Sequence, residues 1–150
     1  MSRLVVNADD LGLHEDINRG VEACIDAGAI TSVSFCPAGA AADWSLLRKI
    51  QARGVGIGAH LTITGERWLT DGRLISHWHH LPVGMTRGGR PFLRDVRVEL
   101  TRQLDAFKPH GITPRHLDTH QHVHLLPGLW SICRDLAEAY RMERIRVPVA

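Results

Sequence analysis

Short apolar runs alternate along this chain with segments in which apolar residues recur every third or fourth position. The runs predict five strands, at residues 4–6, 30–36, 55–64, 115–119 and 145–147. The helical spacing predicts four helices, at residues 15–27, 41–54, 96–107 and 129–140. Strands that alternate with helices predict an α/β fold built on a parallel sheet.

Length and composition narrow the class of protein. The 150 residues predict a single domain over 1–150, and a formal net charge of +2 gives no support for nucleic-acid binding. No apolar run approaches the ~20 residues that span a bilayer, so we expect no membrane insertion. The start of the sequence does not resemble a signal peptide, and Cys24, Cys36 and Cys133 lack metal or disulfide spacing. We therefore expect reduced core thiols in a cytoplasmic protein.

Polar residues collect where three of the predicted strands end. Asp9 and Asp10 follow the first strand, His60 lies late in the third, and residues 116–124 hold four histidines and an aspartate after the fourth. In parallel sheets the carboxyl ends of strands meet at one edge, and imidazole and carboxylate are common ligands of divalent metals. Strand alternation turns His116, Asp118 and His120 to one face and leaves His122 and His124 on a loop.

Each of these sites also has a simpler interpretation. Asp9 and Asp10 fit a turn that ends a strand, and His60 alone fits a hydrogen-bonded core histidine. The stretch 116–124 alone fits a polar, solvated loop. A single metal centre explains all three sites together, and we prefer it for that reason.

The same segments carry a resemblance to a known family. Residues 7–12 (NADDLG), 58–62 (GAHLT) and 116–124 (HLDTHQHVH) are similar, in the same order, to three motifs of the YdjC-like carbohydrate deacetylases. Residues 30–32 (ITS) also resemble the family's second strand, so the likeness covers essentially the whole chain. The resemblance implies a distorted (β/α) barrel of the polysaccharide-deacetylase type. Here the barrel would be incomplete, with about five βα units.

The resemblance also implies roles for individual residues. Asp10, His60 and His120 match the positions that bind the divalent metal, Mg²⁺ or Zn²⁺, and Asp9 matches the general base. His124 is the candidate general acid, although His122 fits that role or a supporting one equally well. The implied reaction is removal of the N-acetyl group from an amino sugar or chitooligosaccharide.

Residues 65–95 interrupt the regular alternation and predict a long insertion or lid. They hold five glycines, five arginines and the cluster His77, His79 and His80, which we interpret as a solvated loop. Trp68 and Trp78 fit either of two roles, stacking on a sugar ring or anchoring the segment to the body.

Other interpretations stay open. The chain is shorter than the family pattern, which leaves either a fragment or a shortened protein that covers its open sheet edge by oligomerising. A homodimer is expected only by analogy with the family. A catalytically incomplete metal-binding relic and a deacetylase of a hopanoid or glycolipid intermediate are the alternatives. An amidohydrolase-type barrel is less favoured, because its His-x-His pair follows the first strand and here it follows the fourth.

Overall fold

A computed structural model describes residues 4–148, and residues 1–3 and 149–150 of the expected domain lie outside this range. Strands and helices alternate within it. The strands are β1 (Asn7–Leu11), β2 (Ser32–Phe35), β3 (Gly56–Leu61), β4 (His116–Thr119) and β5 (Arg144–Ile145). The helices are α1 (Glu15–Asp26), α2 (Trp44–Ala52), α3 (His80–Asp105) and α4 (Leu129–Ala139). Short 3₁₀ turns at Lys108–His110 and His120–Leu125 flank β4.

The five strands form one parallel sheet in the order β1-β2-β3-β4-β5. This arrangement confirms the predicted α/β fold, and the sheet is open in the described part of the chain, as an incomplete barrel would be. None of the described helices is long and apolar enough to cross a membrane.

The two faces of the sheet have opposite character. Alternate residues of β2, β3 and β4 are buried apolar side chains: Val33, Phe35, Ile57, Ala59, Leu61 and Leu117. The residues between them are small or polar: Ser32, Ser34, Gly56, Gly58, His60, His116 and Asp118. The strand register places Gly58 beside Ser34 and His116, and His60 beside Asp118. Because parallel strands in this register keep their alternation aligned, the polar residues share one face of the sheet.

Capping residues fix where two helices begin. The side chain of His14 accepts a hydrogen bond from the backbone N–H of Asp16 at the start of α1. Asp43 accepts from the N–H groups of Ser45 and Leu46 at the start of α2. These bonds satisfy backbone donors that have no partner inside a helix, and so set the entry into each helix.

Three local predictions are wrong. Leu4, Val5 and Val6 do not form the buried first strand, since β1 begins at Asn7 and their exposed fractions are 81%, 46% and 41%. They precede an edge strand, and no described element covers them. Cys24 is exposed rather than in the core, because α1 buries Asn18, Val21 and Ile25 instead.

The third error concerns α3, which begins at His80 and not near Val96. Gly89 adopts non-helical angles (φ 50°, ψ −137°), with Pro91 just beyond it. Glycine tolerates this conformation and proline accepts a new first turn, so two helical pieces meet at a kink. The second half of the segment 65–95 is therefore mostly helical.

Candidate metal centre

Asp9 and Asp10 lie on an irregular end of β1. Pairing with β2 shifts register between Ala8 and Leu11, and Asp10 has a left-handed backbone with φ of 65°. Such a bulge re-aims side chains that would otherwise point to opposite faces. Both carboxylates consequently reach the polar face of the sheet, where each contacts residues of other strands.

Asp10 contacts two histidines, one on β3 and one directly after β4. Its Oδ1 atom lies 3.0 Å from Nε2 of His60 and 2.9 Å from Nδ1 of His120. The hydrogen bond from His60 is the main cause that lowers the pKa of Asp10 to about 2. Two imidazole nitrogens and a carboxylate oxygen therefore face one point.

Asp118 fixes the orientation of His60 from behind. Nδ1 of His60 donates to Oδ1 of Asp118 over 2.6 Å, and both side chains are almost fully buried. Burial opposes the charged imidazole, but the bonds to Asp10 and Asp118 outweigh it and raise the pKa of His60 to about 9. In the metal-free protein His60 therefore carries both protons, and Asp118 is the partner that keeps Nε2 turned toward Asp10.

A second layer of hydrogen bonds holds Asp118. Ser34 donates to Oδ2 of Asp118 over 2.9 Å, and Nε2 of His116 lies 3.0 Å from the Ser34 oxygen. The ring of His116 lies directly over Gly58, where a Cβ atom would come within 2.1 Å of Nε2. Glycine at position 58 is thus required for His116 to occupy this place.

Arg146 is a site residue that the sequence analysis did not single out. It follows β5, yet its Nη1 atom contacts both carboxylate oxygens of Asp9, at 2.5 and 2.7 Å, and lies 3.5 Å from Oδ2 of Asp118. Asn7 donates to Asp9 over 2.8 Å. A usable signal existed, because Arg146 lies between Ile145 and Val147, where an alternating strand turns it to the opposite face.

The two remaining candidate histidines lie outside this contact network. His124 is fully buried, with Nδ1 2.7 Å from the Thr119 hydroxyl and Nε2 3.0 Å from the carbonyl of Arg146. Burial lowers the pKa of His124. Both nitrogens are engaged inside the protein, so its role as general acid stays a prediction. His122 follows β4, at a kink between two short 3₁₀ pieces, where its backbone has left-handed angles (φ 52°, ψ 29°).

Two other groups of potential ligands overlap the predicted set. Among residues 4–148, ligand atoms within 4.8 Å of one another occur in Asp10, Cys36 and His60, and in Asp9, His60 and Asp118. His120 belongs to neither group, so binding an ion would draw its ring closer to His60.

The chemistry of the donors nevertheless favours the predicted set. Burial raises the pKa of the Cys36 thiol well above its usual range, and neighbouring carboxylates add to the effect, so the thiol is protonated in the metal-free protein. Asp9 is paired with Arg146, and Asp118 is engaged by His60 and Ser34. Oδ1 of Asp10 contacts both His60 and His120, and two histidines with one carboxylate suit a divalent metal that keeps open positions.

Comparison with known proteins gives this arrangement a family. The sequence model of the family described as YdjC-like protein matches residues 3–150. The chain belongs to this family. The YdjC-like chain is 32% identical to a carbohydrate deacetylase of Geobacillus stearothermophilus, over 92% of this chain and 57% of the relative. It is 33% identical to a human carbohydrate deacetylase, over 98% of this chain and 49% of the relative. It is also 32% identical to a chitooligosaccharide deacetylase of Escherichia fergusonii, over 89% of this chain and 55% of the relative.

A solved structure supports the fold of this YdjC-like chain. An Enterococcus faecalis V583 protein, named for cellobiose-phosphate cleavage, superposes with a TM-score of 0.81 at 21% identity. The superposition covers 97% of this chain and 59% of that protein. The chain thus spans about half the length of the curated relatives it matches.

Proposed function

We propose that this YdjC-like chain carries the metal centre of a carbohydrate deacetylase, which hydrolyses the acetamide of an N-acetylated amino sugar. The observation that carries the proposal is the meeting of Asp10 of β1, His60 of β3 and His120, directly after β4. A second carboxylate, Asp9, lies beside Asp10 on the chain. The names of the matched relatives support the same reaction class. Mg²⁺ and Zn²⁺ both suit the donor set.

The metal ligands would be Asp10, His60 and His120. A divalent cation bound there would polarise the acetyl carbonyl and make the attacking water more acidic. Asp118 prepares His60 for this task, because its hydrogen bond to Nδ1 leaves Nε2 as the nitrogen that faces Asp10. His60 must lose its Nε2 proton when it ligates.

Asp9 has the position expected of a general base. Its carboxylate lies within 4.8 Å of ligand atoms of His60 and Asp118, and Arg146 and Asn7 fix its orientation. Among the described residues Oδ2 makes one hydrogen bond, to Arg146, whereas Oδ1 makes two, so Oδ2 is the oxygen we expect to take the proton from water. The amine that leaves also needs a proton, and His124 would have to exchange one internal hydrogen bond before it donated.

Acetate release tests the proposal. The purified chain, with Mg²⁺ or Zn²⁺ added, is incubated with diacetylchitobiose, and acetate is measured by an enzyme-coupled assay. We expect metal-dependent release that Asp9→Asn abolishes while calorimetry shows metal binding retained. Metal binding without release from the wild type would favour the catalytically incomplete relic, and absence of metal binding would refute the assignment of the ligands.

A further inference from the structure

The two tryptophans of the segment between β3 and α3 have different environments. Trp68 is 3% exposed, and its Nε1 donates to the carbonyl of Ile63 over 2.9 Å. The guanidinium of Arg73 lies 4.6 Å from the centre of its ring. Trp68 is therefore an anchor of the segment. Trp78, by contrast, is 52% exposed.

Trp78 forms one wall of a cavity of about 430 Å³, whose other lining residues lie in the turn after β4 that begins with His120. The lining residues are Trp78, Gln121, His122, Val123, Leu125 and Leu126. The volume falls in the range of about 300–1,000 Å³ common for small-molecule sites. The lining contains no Asp, Glu, Lys or Arg, so the cavity suits a neutral ligand with both apolar and hydrogen-bonding surface.

Two of the other lining residues, Gln121 and His122, have a strained backbone conformation. Gln121 and His122 have φ of 57° and 52°, in the left-handed region that costs residues other than glycine about 1–3 kcal/mol each. The buried hydroxyl of Thr64 donates to Oε1 of Gln121 over 3.2 Å and fixes the turn. Such strain occurs preferentially at ligand-binding positions.

His122 adds an unmet hydrogen-bonding group. Its Nδ1 atom is buried and has no partner among residues 4–148, a state that costs about 1–3 kcal/mol. Because the ring lines the cavity, a hydroxyl or amide group of a ligand can supply the missing partner after rotation of the imidazole. His122 also stands two residues after His120, which contacts Asp10. The candidate ligand His120 and the lining residue His122 therefore belong to the same turn after β4.

We propose that this cavity binds a second sugar ring, next to the N-acetylated ring that is deacetylated. The face of Trp78 stacks on the apolar face of that ring, and His122 hydrogen-bonds to one of its polar groups. The inference rests on the proposed function, because it assigns the neighbouring subsite of the same centre. A sugar fits better than a phosphorylated or acidic ligand, since no cationic side chain lines the cavity.

Isothermal titration calorimetry with two probes, diacetylchitobiose and N-acetylglucosamine, tests the subsite. The wild-type chain should bind the disaccharide about tenfold more tightly than the monosaccharide. Trp78→Ala should remove most of this preference and leave monosaccharide affinity within about twofold, whereas Trp78→Phe should retain much of it. His122→Ala should weaken disaccharide binding by about three- to tenfold.

Val83→Ala is the matched control, because Val83 lies at the start of α3, five residues after Trp78, is 47% exposed and does not line the cavity. This variant should bind both probes as the wild type does, and circular dichroism checks that every variant is folded. The subsite proposal would be overturned if Trp78→Ala preferred the disaccharide as strongly as the wild type does. It would also be overturned if the wild type bound the two probes equally well. A protein that shows the preference but releases no acetate would instead contradict the proposed function alone.

Discussion

Replacement of Asp118 by asparagine tests whether the buried support of His60 matters to metal binding. Asparagine keeps the size of the side chain, and its amide oxygen can still accept from Nδ1 of His60. The negative charge is lost. Asp118 is fully buried and makes a 2.6 Å contact with His60, so little water screens this change.

The magnitude follows from the two kinds of hydrogen bond. A bond to a charged group contributes about 1.5–3 kcal/mol and a neutral bond about 0.5–1.5 kcal/mol. The difference of roughly 1–1.5 kcal/mol corresponds to about a tenfold loss of metal affinity. This lies at the lower end of the roughly 10–100-fold losses found when residues behind a metal ligand are replaced.

Calorimetric titration with Zn²⁺ at fixed pH measures the effect. Asp26→Asn is the matched control, because Asp26 is exposed and, among residues 4–148, pairs only with Arg53. We expect the zinc dissociation constant to be about tenfold higher for Asp118→Asn and unchanged for Asp26→Asn. Circular dichroism checks that both variants are folded. Unchanged zinc affinity in folded Asp118→Asn would refute the supporting role of Asp118.

Three further predictions concern packing, protonation and the base. Gly58→Ala should lower the free energy of unfolding by about 1–3 kcal/mol in urea denaturation, because the new Cβ overlaps an imidazole across the sheet. Gly20→Ala is the control, because a Cβ at this position of α1 meets open space, and it should raise the free energy of unfolding by about 0.5–1 kcal/mol. An equal change of the unfolding free energy in the two variants would contradict the steric argument. With EDTA present to remove metal, the pKa of His60 is about 9 in the folded protein, against an ordinary value of 6.5 in the unfolded chain. Protonation of His60 therefore stabilises the fold, and this stabilisation is complete below pH 6.5. The unfolding free energy should then fall between pH 6.5 and 9, and His60→Gln should flatten that slope. Arg146→Gln should slow acetate release at least tenfold, because it removes a charged hydrogen bond to Asp9. Its zinc affinity should stay within twofold of the wild-type value. An unaltered rate of acetate release would refute the positioning role of Arg146.

Much of the fold could be predicted from periodicity. The alternation of apolar runs and helical spacing gave the order of all five strands and four helices, because burial against one sheet imposes both periods. The exceptions lie where the chain context decides. The apolar residues 4–6 precede an edge strand and find nothing to pack against. The kink at Gly89 extends α3 through residues whose composition indicated a loop.

The candidate site was predictable where its residues follow strand ends. The shared carboxyl edge of parallel strands grouped Asp10, His60 and His120 with Asp9 and Asp118, and the family resemblance implied that these three are the ligands. The structure brings both histidines into contact with Asp10. Strand alternation turned Arg146 to the polar face, but it did not indicate Asp9 as the partner, because a contact between the ends of β5 and β1 depends on how the sheet curves. Trp68 and Trp78 were equivalent in sequence, and only the fold separates the buried anchor from the exposed ring.

Anomalous diffraction at the zinc edge, from crystals of this chain grown with Zn²⁺, tests the central claim most directly. We expect one strong peak coordinated by Oδ1 of Asp10, Nε2 of His60 and a ring nitrogen of His120, with Asp9 close by and not ligating. A peak on Cys36, a peak held by Asp9 and Asp118, or no peak near these residues would contradict the proposed centre.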